Sequence, residues 1–99
     1  MLNYQNLRKS LEEAFDITIY ASRYIVEEEA VLGFTIRKNN GAAFAVFYPE
    51  LFERTYSQMA RTKIMVCVTS MMQVLRGERT ASAKRTLYEF ISAGLAVLY

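Results

Sequence analysis

Three features of the 99-residue sequence predict an α+β fold: apolar residues at helical spacing near its start, two strand-like runs flanking Asn39-Asn40-Gly41, and long helical periodicity after Pro49. The predicted architecture is an N-terminal helix, a small antiparallel sheet with a central β-hairpin, then two C-terminal helices packed on it. All of this is expected to form a single α+β domain over residues 1–99.

The first element is a predicted helix. Tyr4, Leu7, Leu11, Ala14 and Phe15 share one face, while Arg8, Lys9, Glu12 and Glu13 fill the other and form opposite-charge pairs four residues apart. From Asp16 to Val26 two periods compete. Ile17, Tyr20, Ala21, Tyr24 and Ile25 fit a helix, but the density of β-branched and aromatic residues favours a strand, and strand is the expectation taken.

Val31–Lys38 and Ala42–Tyr48 then predict a hairpin, with Asn40-Gly41 as the two positive-φ residues of a type I′ turn. That turn places Ile36 opposite Ala45 and Phe34 opposite Phe47 on one apolar face. The other face would carry Thr35 and Arg37 together with Phe44, Val46 and Tyr48. A hairpin apolar on both faces needs cover on both, from its own chain or from another.

Pro49 suits the first position of a helix, with Glu50 and Glu53 near its positive end, and no Gly or Pro follows until Gly77. Phe52, Tyr56, Met59, Ala60, Ile64, Cys67, Met71 and Leu75 make one stripe. Lys63–Thr69 could also be a short buried strand, although the absence of flanking turn residues favours a continuous helix. A last helix is expected from Thr80 or Ser82, with Leu87, Phe90, Ile91, Leu95 and Leu98 on one face. The apolar C-terminal run from Ala93 to Tyr99 has to dock somewhere.

Composition excludes several functions. There is no histidine and one cysteine, so histidine-dependent triads and zinc sites of sulfur and nitrogen ligands cannot be built. Gly33, Gly41, Gly77 and Gly94 stand singly, without a phosphate-binding fingerprint. The adjacent acids Glu12-Glu13 and Glu27-Glu28-Glu29 diverge along a helix or strand, and Glu27–Glu29 reads as a solvated or partner-facing acidic surface. No enzyme activity, cofactor or metal is expected.

No run of about 18–20 apolar residues is present to span a membrane. A single cysteine and the lack of a signal-peptide pattern place the chain in the cytoplasm, that of a host were it viral. A small histidine-free chain without motifs is of a type that viruses and mobile elements encode.

Two binding readings follow. The leading one is a non-catalytic protein that interacts with other proteins and self-associates as a homodimer, with Phe44, Val46, Tyr48, Met65, Met72 and Leu98 as the candidate interface. The alternative is a nucleic-acid-binding module that sets Arg37 and Lys38 at the hairpin tip, and Arg76, Arg79, Lys84 and Arg85 around the last interhelical connection, against phosphates, with Tyr88 as a stacking surface. The net charge of +2 gives that alternative little global field, although the excess lies in the second half: seven basic against four acidic residues from Pro49 onward.

Overall fold

The computed structural model describes residues 2–78 and 80–99. Helix α1 (Tyr4–Phe15) leads into strands β1 (Ile19–Val26), β2 (Glu29–Arg37) and β3 (Ala43–Phe47). Helices α2 (Pro49–Tyr56), α3 (Ala60–Leu75) and α4 (Ala81–Ser92) follow, and strand β4 (Ala96–Leu98) ends the chain. The four strands form one antiparallel sheet in the order β1-β2-β3-β4.

The helices cover one sheet face. Leu7 and Leu11 of α1, Phe34 and Ile36 of β2, Ala45 and Phe47 of β3, Phe52 of α2, Ile64, Cys67, Val68 and Met71 of α3, and Leu87 and Phe90 of α4 make the main core. Edge-to-face packing of Phe34 on Phe47 and of Phe47 on Phe52 ties sheet to helices at centroid distances of 5.5 and 6.3 Å. On the opposite face Val31, Val46 and Tyr48 form a smaller cluster roofed by Tyr24, Val26, Leu51 and Val97.

Within this α+β fold the expected strand at β1 and the pairings Phe34–Phe47 and Ile36–Ala45 are present. Four details differ from expectation. Asn40-Gly41 does not form a type I′ turn: the Gly41 N–H bonds the Lys38 carbonyl at 2.9 Å, and only Gly41 has positive φ, +84°. A type I turn ending in a left-handed residue results, which suits a three-residue loop. The type I′ geometry occurs instead at Glu27-Glu28, with φ of 48° and 67°, between the paired residues Val26 and Glu29.

The β-bulge opposite Ile36 and Arg37 adds one residue to β3 and takes Phe44 out of strict alternation. Phe44 therefore joins the helix-side core and leaves Val46 and Tyr48 on the other face.

The long helix after Pro49 is broken. Ser57 takes φ 51° and ψ −117°, and a 3-10 turn over Ser57–Met59 joins α2 to α3. Phe52 and Ile64 lie twelve residues apart, about 120° around a straight helix, so the break lets both meet one core. The last helix stops at Ser92 and does not carry Leu95 and Leu98 onward. Gly94, at φ +77°, closes a Schellman cap in which the Gly94 and Leu95 N–H groups bond the Ile91 and Phe90 carbonyls, each at 3.0 Å. Residues 96–98 then pair with β3.

Candidate functional site

Two features stand apart from the packed interior: the free edge of β1 and a cleft at one end of it. In the β1–β2 hairpin, Val26 and Glu29 flank a two-residue turn and form a hydrogen-bonded pair. Alternation then gives Tyr24, Ser22 and Tyr20 the same pattern. Ile19, Ala21, Arg23 and Ile25 consequently direct their backbone N–H and C=O groups away from β2, where the sheet has no further strand.

Among the described residues only one of these donors is held by a side chain, the Ile19 N–H, which bonds the Glu12 carboxylate at 2.9 Å. Tyr20, Ala21, Ser22, Arg23 and Ile25 are all exposed, and Ile25, at 75%, is the most exposed large apolar residue of those described. No proline or bulge interrupts the strand. Arg23 is its one charged residue, and its guanidinium lies 3.1 Å from Glu50.

The cleft opens where β1 begins. Asp16, Ile17, Thr18 and Tyr20 form one wall, the hairpin tip Arg37–Gly41 another, and Met72, Leu75 and Arg76 of the α3 end a third, around about 970 Å³. The Arg37 guanidinium donates to the Gly41 carbonyl at 2.7 Å and stacks 5.0 Å from the Tyr20 ring centre. Arg76 donates to the Phe15 carbonyl at 3.0 Å and so joins α3 to the end of α1. Among the described residues three cations face this space against one carboxylate, Asp16.

The far end of β1 has the opposite sign. Glu27 and Glu28 occupy the exposed turn, and among the described residues neither is in an ion pair. Glu29 is held by Arg54, whose hydrogen bond keeps the carboxyl below its usual range. Eight residues of strand separate the two ends, roughly 25 Å.

The residues singled out from sequence divide between surface and interior. Of the nucleic-acid candidates, Arg37, Lys38 and Arg76 come together on the cleft. Lys84 and Arg85 are exposed in the first turns of α4, away from its lining, and Arg79 lies outside the described residues. Of the association candidates, Phe44, Val46, Tyr48 and Met72 are buried within the single chain, and Met65 is half-buried against the core. Only Leu98, 38% exposed on the short edge strand β4, is open.

The greasy surplus inferred from sequence is therefore largely absorbed by the sheet's second cluster and by α3. The β1 edge was not singled out, although the signal existed: a strand between a helix and the first strand of a hairpin has one neighbour only.

Burial pushes the Cys67 thiol up to about 12, so it has no thiolate chemistry near neutral pH. Among the described residues there is no cluster of three or more potential metal ligands, and no helix is long and apolar enough to cross a membrane. No protein-family model matches the chain, and no curated protein or solved structure shows significant similarity to it.

Proposed function

We propose that the chain is a non-catalytic protein that works by self-association, as a homodimer, through the free edge of β1. One observation carries the reading: an eight-residue edge strand, exposed from Tyr20 to Arg23 and again at Ile25, offers the N–H groups of Ala21, Arg23 and Ile25 without Pro, bulge or covering element. Leu98 stands on the opposite edge, in a strand of only three residues, which offers a much shorter ladder. The single, buried cysteine agrees with a reducing compartment, and we place the protein in the cytoplasm.

Sedimentation velocity from about 5 to 200 µM tests this reading, since edge-strand contacts of modest area give concentration-dependent dimers. A mass rising towards that of two chains is expected. A monomer throughout that range removes the reading.

A second reading is supported by the meeting of Arg37, Lys38 and Arg76 beside Tyr20, which offers a phosphate-binding recess with an aromatic wall. Its test is binding of labelled single-stranded DNA or RNA, which should weaken steeply with salt. No binding at low salt ends that reading.

A further inference from the structure

We infer that two copies pair antiparallel through β1 about a twofold axis at Ser22, and that the Glu27-Glu28 turn of each copy seats at the basic cleft of the other. This inference rests on the self-association reading above and gives it a register.

The register follows from the alternation of the edge. Backbone groups of Ala21, Arg23 and Ile25 point outwards, so in a symmetric pair outward residues have to oppose outward residues, and the axis has to pass through a residue. Only Ser22 and Arg23 lie near the middle of Ile19–Val26. An axis at Arg23 sets two guanidinium groups directly opposite each other, a destabilising like-charge pair.

An axis at Ser22 places two small hydroxyls together. Ala21 then pairs with the partner's Arg23, and Tyr20 lies across from the partner's Tyr24. The exposed Ile25 meets the partner's Ile19. Each Ala21–Arg23 pair exchanges two backbone bonds and each Ile25–Ile19 pair adds one, because Glu12 already holds the Ile19 N–H. About six interchain bonds result, and the Glu12 carboxylate ends the ladder at either side.

The acidic turn and the basic cleft also agree with this register, and neither was used to choose it. Beyond the last paired residues, the turn that follows Val26 leads towards the partner's Asp16–Thr18 segment, at the mouth of the space lined by Arg37, Lys38 and Arg76. Among the described residues lining that space, three cations outnumber one carboxylate, Asp16, and the excess attracts the turn. Twofold symmetry makes the contact twice. The turn is also held at positive φ by two residues that are neither glycine nor asparagine, so its shape is maintained at a cost while carboxylates are displayed at its tip.

Cysteine substitution reads the register. Ser22 would be a non-hydrogen-bonded pair with its symmetry mate, with Cα atoms about 4.5 Å apart, close enough for a disulfide. Ser22→Cys is expected to convert to a covalent dimer under mild oxidation, whereas Arg23→Cys is not; buried Cys67 stays silent in both. Glu28→Lys and Lys38→Glu should each weaken the dimer roughly tenfold, and the two together in one chain should restore it.

Locking by Arg23→Cys in place of Ser22→Cys overturns the register. A dimer that neither cysteine locks overturns the choice of edge and leaves self-association standing, while a monomeric wild type removes both. Failure of the paired charge reversal to restore affinity overturns the seating of the turn at the cleft.

Discussion

At Gly33 the backbone of β2 is covered by an aromatic ring. An added Cβ would lie 2.4 Å from Cδ2 of Tyr24 and 3.2 Å from Val46, and the Tyr24 hydroxyl shares a 2.6 Å hydrogen bond with Thr35 that fixes the ring there. Gly33→Ala should therefore cost about 1–3 kcal/mol of stability in urea unfolding, less when Tyr24 is also cut to alanine. The opposite sign is expected at the first hairpin turn. Glu28 sits at φ 67°, so Glu28→Gly relieves left-handed strain and should raise the stability of the folded chain by roughly 0.5–1 kcal/mol. Sequence alone pointed to Asn40-Gly41 for this geometry, since those residues tolerate it best. The structure uses it where two strands meet with no spare residue between them, whatever residues stand there.

Elements were legible where periodicity and a terminator agreed, and misread where the terminator acted through backbone conformation. Thr80 caps α4 through its hydroxyl, which accepts the Ala83 N–H at 3.1 Å, as its residue type suggests. Gly94 reads in sequence as a mild helix breaker, yet its left-handed φ ends α4 and turns the chain back to the sheet as β4. Gly94→Ala should accordingly cost about 1 kcal/mol and speed amide exchange at Val97, which lies across from Val46 on β3. Wild-type exchange at Val97 in that variant would show that β4 docks independently of the cap. The break at Ser57 carried no signal at all. It answers the phase mismatch between Phe52 and Ile64, and that is a property of the packed core, not of the local residues.

For the whole molecule, pH acts through one buttress between distant elements and through two tyrosines. The Glu53 carboxyl accepts the Tyr4 hydroxyl and, at 3.1 Å, the Leu2 N–H, and chiefly the tyrosine hydrogen bond holds it below the usual 4.5. The folded chain then binds this proton less readily than the unfolded one, so the stability it contributes is complete above 4.5 and is lost as pH falls through the depressed value. Denaturation measured at pH 7, 4.5 and 3 should show a flatter acid decline for Glu53→Gln. Tyr4 and Tyr48 are both raised above 10, mainly by burial, so their contribution is lost at the alkaline side as pH climbs past 10. The candidate site was less legible than the fold for a related reason. Sequence shows how much apolar surface a chain carries, but Phe44, Val46, Tyr48 and Met72 find their cover in elements that only the assembled sheet brings near. Sheet order has a kinetic meaning as well. β1, β2 and β3 are joined by turns of a few residues, whereas Ala45–Phe47 waits for Ala96–Leu98 across some fifty residues and three helices. Zipping of the local meander should precede the long closure, so Val97→Ala should accelerate unfolding in stopped-flow traces and leave the refolding limb unmoved, while Phe34→Leu should slow refolding.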